Sequence, residues 1–597
     1  MNRLNSEWNR IKQRILFLRY MHKIFSFKEV FAPKLFSTLR SYSKPQLLQD
    51  VVAGMIVAVV AIPLAIAFGI SSGVGPTEGL VTAIIAGFII SAFGGSKVQI
   101  GGPTGAFIVI IYGIIQQHGL TGLLIDTIMA GILLILMGLF KLGNVIKFVP
   151  YPVIVGFTAG IAVTIFTTQM NDLFGMGIED APADFIHKWV CYVEHWRDIN
   201  WWAFGVGIAS LLIILFSTKI SKKIPGSLVA IVLMTLVVWL LRKFGGVTSI
   251  TTIGDLYTLP SGMPAPGFPD LQLEEGQTIL KLVQELFPSA FTIAMLGAIE
   301  SLLSAMVADG VIGDKHNSNT ELIAQGVANV VTPFFGGIPA TGAIARTMAN
   351  INNGGRTPVA GMVHAVVLLL VLLCFGPLVG MIPMACLAGV LLVVSYNMAG
   401  IRSVISLAKA PKSDFIVMIV TFILTVIFDL TIAIEIGLLL AVILFLKRTN
   451  ETTVIRSFTD EIDPTRHSDI KLKGNDLEKL YIPPYTEVFE IDGPYFFGIA
   501  NKFDEISQRM GAEDQKVRVL RMRKVAFMDS TGIHNLEQLH ERSVRCGMTL
   551  VLSGVNEHVF RTLEKAGLVQ MIGRENIRSH INSALARAEE IVKSMEK

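Results

Sequence analysis

Two similar phrases interrupt otherwise apolar stretches of the chain, and both are rich in residues that break helices. The first is GGPTGAF at 101–107, and the second is GGIPATGAIAR at 336–346. Each is followed by a segment typical of a short helix, whose first N–H groups lack partners within the helix and carry roughly half a positive charge. We therefore expect the phrases to form one anion site. Its candidate binding residues are Thr104, Gly105, Ala106, Gly342 and Ala343.

Two charged residues accompany these phrases, one in an apolar run and one at the end of the second phrase. Glu300 lies in AFTIAMLGAIESLLSAMVA, where an ionised carboxylate costs about 2.5–3.5 kcal/mol, so it needs a partner or a proton. Arg346 lies one turn into the second short helix. The two helix ends contribute about one positive charge to the site. Arg346 adds one more positive charge, and ionised Glu300 adds one negative charge. Binding of a cation or a proton at Glu300 would therefore favour anion binding, which predicts symport.

Each of these features also has a purely structural interpretation. Glycines allow membrane helices to pack closely, Glu300 could be hydrogen-bonded inside the bundle for stability alone, and Arg346 could pair with a backbone carbonyl. The recurrence of the glycine phrase at equivalent positions of the chain favours the anion site over close packing.

The composition is that of a membrane protein. The chain has 597 residues, of which 52% are apolar and 16% are charged, whereas soluble domains carry roughly 25% charged residues. A spanning helix needs about 20 apolar residues. We predict twelve full spans, near 50–70, 77–93, 122–141, 149–170, 201–217, 226–243, 284–308, 321–335, 358–376, 384–397, 413–430 and 431–447. Two half-length helices after the glycine phrases bring the predicted count to fourteen.

The two glycine phrases stand at matching places in the two halves of this arrangement. Seven spans per half is an odd number, so the halves would cross the membrane in opposite senses as a 7+7 inverted repeat. Because unpaired backbone groups cost several kcal/mol each in hydrocarbon, the phrases must line a protected cavity. An even count places both termini on one side, and ten Lys or Arg against two acids in the first 47 residues indicate the cytoplasm.

Four regions follow from the distribution of charge. They are a basic cytoplasmic segment at 1–47, a transmembrane domain at 48–448, a charged linker at 449–483 and a cytoplasmic domain at 484–597. In the last region strand-like segments alternate with helical ones such as NKFDEISQRM, which predicts a small α/β sheet. The sequence of this tail has no catalytic dyad and no metal-ligand cluster. We expect no enzyme activity, no nucleic-acid partner and no cofactor, apart from Na⁺ as a coupling ion.

Several motifs resemble the SulP anion transporter family, also called solute carrier family 26. They are DVVAGMIVAVVAIPLAIAFG at 50–69, FGGSKVQIGGPTGAF at 93–107, VPYPVIVGFTAGIAV at 149–163, and IESLLSAMVADG, NTELIAQGVANV, FFGGIPATGAIART and GGRTPVAG between 299 and 361. The resemblance implies an α-helical membrane protein of fourteen segments with UraA-like core and gate domains, usually a homodimer. PLAIAFG, VQIGGPTGAF and the acid followed by SLLS look most like the sodium-dependent bicarbonate branch.

The resemblance also implies roles for individual residues. Phe68 would line the anion pocket, and Arg346 would lie beside the anion. Leu64 stands where many relatives have Gln, which removes one polar contact from that pocket. Carboxylate, hydroxyl and carbonyl oxygens suit a hard cation. The residues that would bind the coupling Na⁺ are Glu300, Ser304 and the backbone of Gly342, Ala343 and Ile344.

The tail resembles the STAS domain, which sulfate transporters share with anti-sigma factor antagonists. Its phrase MDSTGIHNL at 528–536 matches the loop between a strand and a helix of that domain. The position of Thr531 is phosphorylated in bacterial antagonists, which implies a regulatory loop at Asp529, Ser530 and Thr531 and a cytoplasmic protein partner. The same residues are also suited to cap the helix that follows.

We therefore expect secondary active transport of a small inorganic anion, sulfate or bicarbonate, by alternating access across a bacterial inner membrane. The alternatives that the sequence leaves open are a dicarboxylate transporter, an anion exchanger, an anion channel and a membrane-tethered signalling scaffold. Nucleobase permeases share the inverted-repeat plan but lack a STAS tail.

Overall fold

The computed structural model describes residues 30–40, 42–143, 149–178, 181–182, 184–220, 226–257, 266–267, 279–428, 430–458, 461–462, 480–497 and 515–595. The chain divides into two compact units, Met1–Ala441 and Val442–Lys597. Most of the predicted basic segment, most of the predicted linker, the predicted turn at position 429 and the predicted helix NKFDEISQRM lie outside the described residues.

The first unit is helical, because long apolar runs in hydrocarbon must satisfy their backbone groups internally. Its helices are, in chain order, α1 Lys34–Leu39, α2 Lys44–Ser71, α3 Pro76–Phe93, α4 Ile108–Leu139, α5 Tyr151–Thr168, α6 Met170–Phe174, α7 Phe185–Glu194, α8 Trp201–Ile220, α9 Gly226–Phe244, α10 Ile253–Leu256, α11 Ile279–Ile312, α12 Ser318–Val331, α13 Ile344–Asn352, α14 Pro358–Gly380, α15 Met384–Met398, α16 Ile401–Ala408, α17 Lys412–Ile427 and α18 Leu430–Thr452.

Among the described residues, eight helical segments are long and apolar enough to cross a membrane. The chain is therefore a multi-pass helical membrane protein. Other predicted spans form shorter or more polar helices, as at 321–335, where the 14-residue helix α12 carries Glu321, Gln325 and Asn329. The eight segments are Lys44–Ser71, Pro76–Phe93, Gly105–Leu139, Tyr151–Phe174, Gly226–Phe244, Leu280–Ile312, Pro358–Gly380 and Met384–Ala408.

The half-length helix predicted after the first glycine phrase is joined to the span that follows it. A 3-10 turn at Gly105–Phe107 leads directly into α4. Within α4 the backbone leaves helical geometry at Gly119, where φ is 63° and ψ is −167°, a conformation essentially restricted to glycine. Gly119 therefore separates the short helix from the span.

The two glycine phrases meet as a pair of short antiparallel strands. Strand β1 is Gly101–Gly102 and strand β2 is Thr341–Gly342. Gly101 pairs with Gly342, and Gly102 pairs with Thr341. This pairing brings the start of α13 beside the start of α4, although the two helices are far apart in the sequence.

Five strands of the second unit form one sheet in the order β3–β6–β7–β8–β9. Strand β3 is antiparallel to β6, and the other neighbours are parallel. A separate antiparallel pair joins β4 to β5. The elements are β3 Val454–Phe458, β4 Glu461–Ile462, β5 Leu480–Tyr481, β6 Thr486–Asp492, β7 Val517–Arg521, α19 Ser530–Arg545, β8 Thr549–Ser553, α20 Glu557–Lys565, α21 Leu568–Ile572, β9 Ile577–Arg578 and α22 Ile581–Met595.

Alternation of side chains along β7 explains how helices cover both faces of this sheet. Val517 and Val519 pack in a core with Leu585 of α22, whereas Leu520 packs in a second core with Leu536 of α19. The α/β sheet predicted for the tail is confirmed. One predicted boundary is corrected, because strand β3 at Val454–Phe458 lies inside the segment 449–483 that the sequence assigned to a linker.

Candidate anion-binding site

A cavity of about 460 Å³ lies where the two glycine phrases meet. The first phrase contributes Pro103 to Ala106 to its lining, and the second contributes Ala343 to Arg346. Helices α2 and α11 also contribute to the lining, with Phe68 and Glu300 respectively. Of the predicted site residues, the cavity brings together Phe68, Thr104, Gly105, Ala106, Glu300, Ala343, Ile344 and Arg346.

The start of α13 brings backbone donors to the lining of this cavity. The first hydrogen bond within the helix runs from the N–H of Thr347 to the carbonyl of Ala343, at 2.9 Å. The N–H groups of Ile344, Ala345 and Arg346 therefore have no partner inside the helix, and these three residues line the cavity. The N–H of Ala343 donates to the carbonyl of Ile100 at 2.9 Å, so the available donors of α13 begin at Ile344, after the predicted Gly342 and Ala343.

Arg346 is 2% exposed and holds one arm of its guanidinium against the first phrase. Its Nη2 donates to the carbonyl oxygen of Pro103 at 2.9 Å, whereas its buried Nη1 has no partner among the described residues. The pairing with a carbonyl that the sequence left open is thus present, and it engages only one side of the group. Nη1 is enclosed beside Gly102, which is outside the cavity lining, so Arg346 contributes its positive charge to the cavity and not a hydrogen bond from Nη1.

Glu300 projects from α11 toward the first phrase rather than toward its own helix. Its Oε2 accepts a hydrogen bond from Thr104 Oγ1 at 3.0 Å. Ser304 lies one turn further along α11, but its hydroxyl donates to Thr347 Oγ1 at 3.2 Å. Gly342 is held in the strand pair opposite Gly101. Ser304 and Gly342 are not among the residues that line the cavity.

A set of buried polar side chains, which sequence reasoning missed, holds the interrupted backbone in place. Asn329 donates from Nδ2 to the carbonyl of Ala340 and accepts from its N–H, both at 2.8 Å. Thr82 Oγ1 accepts from the N–H of Ile338 at 2.7 Å. Thr341 Oγ1 donates to the carbonyl of Gly297 at 2.8 Å. The available signal was the presence of polar residues in otherwise apolar helices.

Glu321 was missed in the same way, and it fixes α12 to the loop before the first phrase. The side chain is fully buried, and its Oε2 accepts from the N–H groups of Gly95 at 2.8 Å and Ser96 at 3.1 Å. Its Oε1 accepts from Gln325 Nε2 at 3.0 Å. Buried carboxylates need such donors, so this acid has a structural function.

The predicted loop of the second unit is a helix cap. Asp529 is the N-cap of α19 and accepts from the N–H of Gly532 at 2.8 Å. Its other oxygen accepts from the N–H of Phe497 at 3.0 Å. Ser530 is exposed and Thr531 is half-buried. The capping function that the sequence left open is therefore confirmed for Asp529.

Comparison of the sequence with known families gives two matches. The sulfate permease family matches residues 47–421. The chain belongs to the sulfate permease family. The STAS domain matches residues 480–584. The resemblance to SulP proteins with a STAS tail is thereby confirmed, and the chain is an anion transporter of the sulfate permease family.

Two relatives in the sulfate permease family align with nearly the whole chain. The Bacillus subtilis (strain 168) protein named "Putative sulfate transporter YvdB" is 42% identical over 542 residues, which cover 91% of this chain and 98% of that protein. The "Bicarbonate transporter BicA" of Synechocystis sp. is 31% identical over 553 residues, which cover 90% of this chain and 94% of that protein.

Two solved structures resemble this member of the sulfate permease family. The transmembrane domain of a cyanobacterium bicarbonate transporter, BicA, is 31% identical, covers 67% of this chain and 98% of its own, and has a TM-score of 0.57. The overall structure of SLC26A9 has a TM-score of 0.80 and covers 97% of this chain and 95% of its own. At 16% identity, the second likeness shows the fold alone.

Gly102 allows the guanidinium of Arg346 to reach the first phrase. Its φ is 151°, and a Cβ at this position would lie 2.2 Å from Nη1 of Arg346. We predict that Gly102→Ala lowers the stability of the purified protein by about 1–3 kcal/mol, because the displaced side chain is buried. Thermal unfolding in detergent measures the effect.

The matched control is Gly113→Ala in α4, where a Cβ would meet open space. This variant should unfold at the wild-type temperature or slightly above it, since alanine favours a helix. Equal unfolding temperatures for the two variants would show that Gly102 does not make room for Arg346.

Proposed function

We propose that the chain is a secondary active transporter that carries sulfate or bicarbonate by alternating access, coupled to Na⁺ or H⁺. The observation that carries the proposal is the cavity whose lining includes both the start of α13 and the buried, positively charged Arg346. Fixed donors that need no rearrangement are suited to a small anion. One of the two relatives is named as a putative sulfate transporter and the other as a bicarbonate transporter, so both anions are candidates here.

The coupling cation would bind at Glu300. The carboxylate already accepts from Thr104, a residue of the first glycine phrase. A proton or Na⁺ on Glu300 would remove one negative charge from the cavity that also contains Arg346. Cation binding would therefore raise anion affinity, and the anion would raise cation affinity by the same factor. Because the Ser304 hydroxyl is engaged by Thr347, the hydroxyl nearest to the cation would be that of Thr104.

The fourteen-segment inverted repeat belongs to the same proposal. It is supported by the pairing of β1 with β2, which places equivalent phrases of the two halves side by side. It is also supported by α17, which ends at Ile427, and α18, which begins at Leu430, because the near-continuous apolar run is divided there into two helices. In this arrangement the protein would work as a homodimer in the bacterial inner membrane with both termini in the cytoplasm. The STAS loop at Asp529, Ser530 and Thr531 would contact a regulatory protein partner.

Uptake into proteoliposomes tests the transport of each anion. Labelled sulfate and labelled bicarbonate are each supplied with a Na⁺ gradient, with a pH gradient and with neither. We expect saturable uptake of one anion that is accelerated by one gradient. Single-channel currents without saturation would support a channel instead. Uptake that occurs only when the proteoliposomes are loaded with an anion would support an exchanger.

Arg346→Gln tests the anion site. We expect KM for the transported anion to rise by roughly 10- to 100-fold, because the positive charge beside the anion is lost. The matched control is Arg402→Gln at the exposed start of α16, which should leave KM unchanged. An unchanged KM in Arg346→Gln would remove this residue from the anion site.

Glu300→Gln tests the coupling. The neutral amide resembles the protonated acid, so we expect anion uptake to continue but to lose its dependence on the Na⁺ or pH gradient. Initial rates measured with and without each gradient give the result. Uptake by Glu300→Gln that still follows the gradient as the wild type does would show that the coupling cation binds elsewhere.

A further inference from the structure

Asp50, near the start of α2, joins that helix to the segment between α13 and α14 through one buried carboxylate. The residue is fully buried. Its Oδ1 accepts from the backbone N–H groups of Arg356 at 2.8 Å and Thr357 at 3.3 Å. Its Oδ2 accepts from the hydroxyls of Thr357 at 2.6 Å and Tyr42 at 2.9 Å. Four donors satisfy the acid without any cation, so its charge serves to fix the segment between α13 and α14.

The side chain of Arg356 extends this attachment to the end of α13. Its Nη1 donates to the carbonyl of Ile351 and to the carbonyl of Gly355, both at 2.8 Å. Carbonyls at a helix C-terminus lack partners within the helix and carry partial negative charge, so a cation there stabilises the helix. Asp50 holds the backbone of Arg356, and Arg356 holds the end of α13.

The start of α13 depends on this attachment because the helix is short. Helices of fewer than about 12 residues are marginal on their own, and α13 runs only from Ile344 to Asn352. Asn350 adds one further attachment, since its Nδ2 donates to the carbonyl of Val98 at 2.9 Å. A displacement of the C-terminal end would therefore shift the N–H groups and Arg346 at the cavity end.

Helix α2 also reaches the cavity at its own far end, where Leu64 and Phe68 belong to the lining. The helix that carries Asp50 at one end thus carries cavity residues at the other. We propose that Asp50 is a positioning residue for the anion site, which acts through Arg356 to hold α13 and α2 as one rigid body around the anion. This inference rests on the proposed transport function.

The experiment is a double-mutant cycle in proteoliposomes. The variants are Asp50→Asn, Arg356→Gln and the double variant, and the readout is KM and Vmax for the anion that the wild type carries. Asn keeps one acceptor oxygen, so it cannot accept from both backbone N–H groups and both hydroxyls. We expect each single variant to raise KM about three- to tenfold, because positioned donors lose their alignment. The KM of the double variant should not exceed that of the single variant with the higher KM, because both changes break one chain of contacts.

A structural function alone gives a different pattern. It would lower the amount of folded protein and Vmax while KM stays at the wild-type value, and that result would overturn the proposal. Independent effects on KM that multiply in the double variant would overturn it as well. Asp414→Asn, an acid in the first turn of α17, is the matched control and should leave KM and Vmax unchanged.

A milder variant keeps the test decisive if Asp50→Asn does not fold. Tyr42→Phe removes only the outermost donor to Asp50, and we expect it to raise KM by roughly twofold and, combined with Arg356→Gln, to add nothing further. An unchanged KM in both Tyr42→Phe and Arg356→Gln would overturn the proposal. Absence of any anion uptake by the wild type would instead overturn the proposed function, so the two failures are distinguishable.

Discussion

Everything else in the membrane unit depends on how two interruptions of its helices satisfy their backbone groups away from water. Unpaired N–H and C=O groups cost several kcal/mol each in hydrocarbon. The chain meets this constraint by pairing β1 with β2 and by placing Asn329 on both backbone groups of Ala340. Once these contacts fix the crossing strands, the helix starts that follow must face one cavity. The anion site thus results from the hydrogen bonds that satisfy the backbone where the helices are interrupted.

The first glycine phrase is held by both charges of the site, which suggests how a cation and an anion would influence each other. Arg346 donates to the carbonyl of Pro103, and Glu300 accepts from the hydroxyl of the next residue, Thr104. A change in the charge of Glu300 would therefore act on the backbone segment that Arg346 also holds. Coupling through a shared segment requires no long pathway between the two sites.

The sequence predicted the membrane class, the soluble α/β domain and the family, and most of the site residues that it predicted line the cavity, because helix-breaking phrases and isolated charges carry strong local signals. It did not predict which hydroxyl contacts Glu300. Ser304 lies one turn from Glu300 on the same helix, which favours a shared function, but Thr347 from another helix engages its hydroxyl. Contacts such as Asp50 with Thr357 join residues far apart in the chain, and only the folded backbone determines them. Strand β3 was missed because its five residues directly follow α18 within a charged segment.

The central claim is that the two glycine phrases and Arg346 bind the transported anion. The most direct measurement is a structure of the purified protein soaked with selenate, whose selenium gives an anomalous signal at the position of a sulfate-like anion. The account predicts one strong peak in the cavity, within hydrogen-bond distance of the N–H groups that begin α13 and beside Arg346. A strong peak elsewhere in the membrane unit, with an empty cavity in a protein that transports the anion, would contradict it.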